Sequence, residues 1–157
     1  MKLKKIRITN YRCFKEADID FDNHTTLIVG KNGAGKTAIL DAVAVAVSTF
    51  LLGIDGGVSR SISKDDARYE FHDLDGTVDP QHQFPVSIES TGDCLDNHDV
   101  KWVRSLNSES GNTTVKEAKE LTNISKDVQK RIMTGDKSLI LPLISYYGTG
   151  RLYAQKK

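Results

Sequence analysis

The sequence is short of cysteine, of net charge and of long apolar runs. Two cysteines among 157 residues cannot build a framework of several disulfides, which favours a reducing cytoplasm. No uninterrupted apolar stretch approaches the roughly 20 residues that a bilayer requires, so no membrane segment is expected. The 22 basic and 21 acidic residues give a formal net charge of +1, which excludes a chain that is polycationic throughout. These absences indicate one globular, cytoplasmic domain.

The charge that is present is unevenly distributed along the chain. Residues 1–15 contain no acid, and their basic side chains are Lys2, Lys4, Lys5, Arg7, Arg12 and Lys15. Residues 55–99 are predominantly acidic. A basic arm could attract phosphate from a nucleotide or a nucleic acid. The basic solvent side of an ordinary strand accounts for most of these lysines as well, and we favour that interpretation.

Apolar patterns predict a mixed α/β architecture. Alternation predicts half-buried strands, which cover residues 3–9, 17–22, 86–89 and 100–104. With the N-terminal hairpin, the strands within 69–104 predict an antiparallel β-subdomain. The fully apolar stretch 27–29 and the largely apolar stretch 139–147, which would have to tolerate Pro142, are typical of buried strands and predict a parallel core beside it.

Two longer segments predict helices. Residues 36–52 are apolar on nearly every side, with Asp41 the one charge after Lys36, which predicts a buried helix that stops at Gly53. Thr114 and Glu117 have capping-box spacing and precede an amphipathic pattern, which predicts a helix over 114–133. Residues 63–66 predict a short helical turn.

The motif that indicates a function lies between the apolar stretch 27–29 and the first helix. Residues 30–37 read GKNGAGKT and fit the P-loop pattern G-x-x-x-x-G-K-[ST]. In such a loop the backbone N–H groups point at phosphate oxygens, and the start of the following helix adds its positive dipole end. Lys36 is expected to reach the β- and γ-phosphates, and the Thr37 hydroxyl is expected to bind Mg²⁺.

The segments around this loop resemble the ATP-binding heads of RecF, SMC and OLD-type proteins, which are ABC-type ATPases. Residues 6–14, IRITNYRCF, are similar to the opening strand of that lineage, which ends in N-[FY]-R-x-[FH]. Residues 27–37 resemble its G-x-N-G-x-G-K-[ST] segment, and residues 38–43 resemble the helix that follows. The resemblance implies an α/β P-loop NTPase fold that binds ATP and Mg²⁺.

Weaker similarities extend over the rest of the chain. Residues 66–68, 85–86, 102–104 and 141–152 resemble a bacterial AAA-type group of predicted ATP-binding proteins, related to the ATPases of retron and Septu defence systems. The resemblance implies that Asn32 contacts the γ-phosphate and that Arg12 lies near the nucleotide, although Arg12 could simply close a hairpin. Arg151 could line the site or form a turn.

The expected nucleotide site combines the motif with the resemblance. Its predicted residues are Gly30, Asn32, Gly33, Ala34, Gly35, Lys36, Thr37 and Arg12, with Thr37 as the Mg²⁺-binding hydroxyl. No apolar strand ends in the Asp-Glu pair of a Walker B motif, and no LSGGQ-like signature is recognised. Residues 1–157 are therefore expected to form the N-terminal lobe of an ABC/RecF-like ATPase domain without its catalytic half, and no catalytic residue is assigned. Such a lobe is expected to bind ATP and to hydrolyse it weakly or not at all.

The resulting functional hypothesis is an ATP-switched, dimerising ATPase head that acts in DNA repair or anti-phage defence. Its expected partners are ATP, a second copy or a completing ATPase half, and DNA, with no membrane. One alternative is another P-loop enzyme, a small kinase or a GTPase, although the N-K-x-D guanine motif is missing. The other alternative is a non-enzymatic interaction fragment whose P-loop stays empty. The spacing of His72, His82, Cys94 and His98 does not favour a zinc site.

Overall fold

The computed structural model describes residues 1–74 and 77–148 of the chain. These residues form six strands and two α-helices, connected in several places by short 3₁₀ turns. The strands are β1 (Lys2–Tyr11), β2 (Phe14–Asp20), β3 (Tyr69–Leu74), β4 (Thr77–His82), β5 (Val86–Cys94) and β6 (Asn97–Leu106). The helices are α1 (Lys36–Ser48) and α2 (Lys119–Met133), and the 3₁₀ turns are Thr49–Gly53, Lys64–Asp66 and Lys116–Ala118.

Four of the strands form one antiparallel sheet in the order β2-β1-β5-β6. Side chains alternate between the two faces of a strand, so every second residue of β1 and β5 points to the same side. Ile8 of β1 lies opposite Ile88 of β5, and both are fully buried. Trp102 of β6 is buried on this face, and its indole Nε1 donates a hydrogen bond to the Ala46 carbonyl of α1 at 3.0 Å. This confirms the predicted antiparallel β-subdomain and places α1 against it.

Strands β3 and β4 form a separate antiparallel hairpin. An isolated bridge between Tyr11 and Ala67 joins its base to the end of β1. The Arg68 N–H also donates to the Asn10 carbonyl at 2.9 Å. The hairpin therefore leaves the main sheet at the β1–β2 turn.

Helix α2 packs against the 3₁₀ turn that follows α1. Its buried residues include Leu121, Ser125 and Val128. A Cβ on Gly53 would lie 2.0 Å from the Ser125 Oγ and 2.7 Å from the Thr122 carbonyl oxygen, so the turn and the helix approach as closely as glycine allows. Gly53 thus ends the helical segment, as predicted, and also permits its packing.

The segment Lys36–Gly53 is long and apolar enough to cross a membrane by length and composition alone, and 44% of it is buried. A core helix of a folded domain has the same composition, so these properties by themselves do not indicate a membrane span. The prediction of a helix buried on every side is wrong in part, because Leu40 is 46% exposed. The side of α1 that faces away from the sheet is therefore apolar and partly open to solvent.

Two strand predictions are wrong for the described part of the chain. Residues 27–29 and 139–147 form no strand, and the described strands pair only in antiparallel fashion, so no parallel core is present there. Leu27 is 81% exposed and Leu143 is 94% exposed. A parallel strand needs hydrogen-bonding neighbours that arrive from a distant crossover, and the described residues supply none for these two segments.

The start of the second helix also differs from its prediction. Thr114 does not cap it: the Thr114 N–H donates to the Ser105 carbonyl, and the Thr114 hydroxyl accepts from the Ser105 N–H. Helix α2 begins at Lys119 after the 3₁₀ turn Lys116–Ala118. A capping box is instead present at Ser63 and Asp66, at the short helical turn that the sequence predicted.

Candidate functional site

The loop of residues 30–35 has the backbone of an anion cradle. Gly33 and Gly35 have φ angles of 83° and 86°, in the left-handed region that glycine adopts at low cost. Gly30 is not among the left-handed residues, and a Cβ there would lie 3.3 Å from the Ala34 Cβ. Gly33 and Gly35 are therefore required for their left-handed backbone conformation. Gly30 is required for close packing within the loop.

The helix that follows this loop begins without a side-chain cap. Gly35 is the N-cap residue, no side chain caps the helix, and its first turn contains no acid. The first N–H groups of an α-helix have no partner within the helix, and the dipole makes that end positive. The start of α1, where Lys36 and Thr37 lie, is thus suited to receive an anion from outside the chain.

Lys36 folds back over the loop. Its Nζ donates to the carbonyl oxygens of Gly30 at 2.7 Å and Lys31 at 2.8 Å. The ammonium group thus lies over the loop whose backbone would surround a phosphate. Asn32 is exposed and Ala34 and Thr37 are at least partly accessible, so the described chain leaves the loop open from above.

The turn between β1 and β2 packs directly on this loop. A Cβ on Gly35 would lie 2.5 Å from the Phe14 ring and 2.8 Å from the Cys13 Sγ. The turn therefore sets the position of the last loop residue. Arg12 lies in the same turn, so the structure brings its backbone next to the predicted site.

The Arg12 side chain extends to two carboxylates. Its Nη1 pairs with Asp41 on α1, and its Nε donates to Asp66 at 2.9 Å. Burial opposes the charged form, but the hydrogen bond to Asp66 and the nearby charges raise the pKa of Arg12. Arg12 is thus a cation held by two carboxylates in the turn beside the loop.

Asp41 is a residue that the sequence analysis did not assign to the site. Its side chain is 5% exposed, and it accepts from Arg12, from the Arg60 Nη2 at 3.0 Å and from the Tyr146 hydroxyl. The Arg60 guanidinium also lies over the Tyr146 ring, 5.2 Å from its centroid. Burial and the bond to Asp41 raise the pKa of Tyr146. The sequence signal was the lone charge in an apolar helix, which marks a buried, partnered group.

Three basic residues of β1, Lys4, Lys5 and Arg7, are paired with acids of neighbouring strands. Arg7 contacts Asp18 at 2.9 Å and Lys5 contacts the same carboxylate at 3.2 Å. Lys4 contacts Asp93 at 2.6 Å and Asp99 at 2.8 Å. These pairs support the favoured interpretation of a charged strand face exposed to solvent.

An apolar groove of about 520 Å³ runs along the outer side of α1. Its lining includes Leu40, Val43, Val47, Leu51, Val58 and Tyr147. Residues 144–147 also line this groove. Arg151, the other arginine weighed as a site residue, lies outside the described residues.

Comparisons with known proteins identify a family and several relatives. The AAA_23 family, described as an AAA domain, matches residues 5–157. The Rad50 DNA double-strand break repair ATPase of Archaeoglobus fulgidus is 48% identical over 44 residues, which are 28% of this chain and 5% of that protein. The RecF DNA replication and repair protein of Actinobacillus pleuropneumoniae is 33% identical over 100 residues, which are 60% of this chain and 26% of that protein.

A solved chain from work on ATP-driven dimerization and DNA-stimulated activation of SMC ATPases aligns with a TM-score of 0.49 at 20% identity, covering 85% of this chain and 80% of its own. The curated relatives are much longer than the matched region. The matched residues span 5% of the Rad50 relative and 26% of the RecF relative.

Proposed function

The chain belongs to the AAA_23 family of AAA domains, and from that premise we propose that it is the ATP-binding portion of an ATPase head of the RecF, Rad50 and SMC type. Membership of this family confirms the predicted fold class, an α/β P-loop domain. The observation that carries the proposal is the loop of residues 30–37, with two left-handed glycines and an uncapped helix start. The proposed ligand is ATP with Mg²⁺.

Each predicted site residue then has a role. The N–H groups of residues 33–37 bind the β- and γ-phosphate oxygens, and Lys36 exchanges its two carbonyl partners for phosphate. The Thr37 hydroxyl is one Mg²⁺ ligand, and Asn32 contacts the γ-phosphate from within the loop. Arg12 contributes positive charge from the adjacent turn.

Calorimetric titration with Mg-ATP tests this proposal, with Mg-ADP and Mg-GTP titrated in parallel. Selective binding of the adenine nucleotides is expected, and Lys36→Ala is expected to weaken ATP binding about tenfold or more, since it removes charge-assisted hydrogen bonds. Lys31→Ala is the matched control, because it removes an exposed lysine of the same loop that is not the P-loop lysine. Equal binding by the wild type and Lys36→Ala would leave the empty-loop alternative, and a preference for GTP would favour a GTPase.

We further infer that a second ATPase portion covers the apolar surface formed by residues 27–29, residues 139–147 and the groove along α1. The support is its exposure: Val29 is 76% exposed and Ile140 is 84% exposed. Exposed apolar side chains concentrated in a few segments are typical of an interaction site. The proposed occupant is the portion that carries the Walker B acids, and hydrolysis is proposed only for the completed head.

Light scattering after size exclusion, with and without Mg-ATP, tests which occupant binds. A completing half added in trans is expected to form a heterodimer, and Leu143→Asp is expected to abolish it, because an aspartate would be buried without a partner. A dimer of this chain alone, lost in the same variant, would instead identify a second copy as the occupant.

The biological role is the finer part of the proposal. Action in DNA repair is supported by the relatives, which are repair proteins, and action in anti-phage defence rests on the weaker similarity of residues 141–152. Cytoplasmic localisation is supported by the two free cysteines, Cys13 and Cys94. DNA binding is tested by filter binding over a salt series. A log-log slope near zero would exclude it for this chain.

A further inference from the structure

A buried acid stands one helical turn beyond the P-loop. Asp41 follows Thr37 by four residues on α1, so the two side chains lie on the same side of the helix. A carboxylate that is 5% exposed is costly unless it is paired, and Asp41 has three donors on three other segments: Arg12, Arg60 and Tyr146. Three donors therefore hold the Asp41 carboxylate in one position beside the nucleotide loop.

Arg12 is held in a conformation that needs such support. Its φ is 52°, a left-handed value that is uncommon for residues other than glycine. Besides its ion pairs with Asp41 and Asp66, its backbone N–H donates to the Asp66 carbonyl at 2.7 Å. Strained backbone persists where the surroundings fix it, and it concentrates at functional sites. Since Cys13 and Phe14 touch Gly35, the same contacts fix Arg12 relative to the loop.

We propose that Asp41 is a positioning residue for the nucleotide: it holds the Arg12 guanidinium beside the P-loop, so the contribution of Arg12 to ATP binding depends on Asp41. This inference rests on the proposed function and assigns a role to a residue outside the P-loop motif. Asp41 acts through Arg12 and does not itself touch ATP. A carboxylate this close to phosphates is unfavourable by direct electrostatics, so only a positioning role makes it favourable to binding.

The two effects are separated by a double-mutant cycle on Mg-ATP affinity. The variants are Arg12→Ala, Asp41→Asn and the combination of both, each measured in the purified protein by calorimetry. The direct effect of removing one negative charge is the same with and without Arg12, so it cancels in the cycle. Arg12→Ala is expected to weaken binding about tenfold when Asp41 is present and less than about threefold in the Asp41→Asn background.

Asp65→Asn is the matched control, because Asp65 is an exposed aspartate in the turn that also contains Asp66. In that background Arg12→Ala is expected to keep its full tenfold effect. Asp41→Glu is the second variant, for use where Asp41→Asn does not fold. It retains the charge and displaces the carboxylate by one methylene, and the effect of Arg12→Ala is again expected to fall below about threefold.

The outcomes separate this inference from the proposed function. Wild-type protein that binds no ATP, or binds it equally after Lys36→Ala, overturns both. ATP binding that depends on Lys36, with the same effect of Arg12→Ala in the wild-type, Asp41→Asn and Asp41→Glu backgrounds, overturns the positioning role alone. Thermal midpoints of all variants are recorded, since a merely structural Asp41 would lower stability without changing the effect of Arg12→Ala.

Discussion

The two sides of α1 differ in the solvent exposure of their apolar side chains. The side that faces the antiparallel sheet is packed, and the opposite side is open to solvent. Towards the sheet, Ile88 and Trp102 are at most 1% exposed, and Trp102 bonds to the helix backbone. Away from the sheet, Leu40 is 46% exposed, and Leu143, which lines a cavity with Val43 and Val47 of α1, is 94% exposed. Both faces are apolar in sequence. Apolar character alone therefore does not determine which face is buried.

The difference follows from how the two kinds of sheet are completed. Antiparallel strands joined by tight turns, such as β5 and β6, find their partners within a few residues. Parallel strands require a crossover and further strands, so 27–29 and 139–147 stay unpaired among the described residues. The described strands cover one side of α1. We infer that a partner covers the other side.

The largest difference in the free energy of unfolding is expected between variants of the packed Trp102 and the exposed Leu143. Trp102→Ala removes a fully buried indole and its hydrogen bond to Ala46, and should lower the free energy of unfolding by about 3–5 kcal/mol. Leu143→Ala should change it by less than about 0.5 kcal/mol, because this side chain is in solvent. Urea denaturation measures both. Similar losses in the two variants would show that Leu143 is packed in solution.

A buried arginine gives a second test of the packed side. Arg104 is 2% exposed, its Nε donates to the Thr114 carbonyl at 2.9 Å, and its Nη1 donates to the Thr49 hydroxyl at 3.2 Å. Burial lowers the pKa of Arg104. Arg104→Met leaves both oxygens without this donor and is expected to cost about 2 kcal/mol.

The same denaturation series measures the Arg104 variant, with Arg60→Met as its control on the open side. Arg60 is part exposed, so its loss is expected to be smaller, about 1 kcal/mol or less. A more stable Arg104→Met protein would show that desolvation of this cation outweighs its hydrogen bonds.

Gly33 and Gly35 of the nucleotide loop differ in the space around an added Cβ. Their alanine variants therefore test the packing of the β1–β2 turn on this loop. Gly35→Ala adds a Cβ 2.5 Å from the Phe14 ring at a left-handed φ, and should cost about 1–2 kcal/mol and weaken ATP binding. Gly33→Ala has the same φ penalty but open space around the Cβ, so about 1 kcal/mol is expected. Thermal denaturation and calorimetry rank them. A larger loss for Gly33→Ala would contradict the packing of the β1–β2 turn on the loop.

The smallest effect is expected from the surface ion pair between Lys4 and Asp93, which belongs to the antiparallel sheet. The Lys4 ammonium, and next the Asp99 N–H, lower the pKa of Asp93 to about 2 from its ordinary 3.8. Because the folded pKa is the lower one, the stabilising contribution is present above about pH 4 and is lost as the pH falls through about 2. The Asp93 carboxyl shift measured by NMR should give this midpoint, and Lys4→Met should move it towards 3.8. An unchanged midpoint would contradict the pairing.

The sequence predicts most of what local patterns determine. The four strands of the main sheet, the helix after the P-loop and the turn at residues 63–66 are all formed, since alternation, helical period and capping act over a few residues. The strand predictions at 27–29 and 139–147 were wrong because pairing depends on distant neighbours. The Asp41 cluster was missed because it joins four segments that only the fold brings together.

Hydrogen exchange followed by mass spectrometry tests the difference between the two sides of α1 most directly. Amides of β5 and β6 are expected to exchange at least about 100-fold more slowly than those of residues 139–147, which form no strand. Addition of the completing ATPase portion with Mg-ATP is expected to protect residues 139–147 and leave β5 and β6 unchanged. Protection of 139–147 equal to that of β5 before any partner is added would contradict this account.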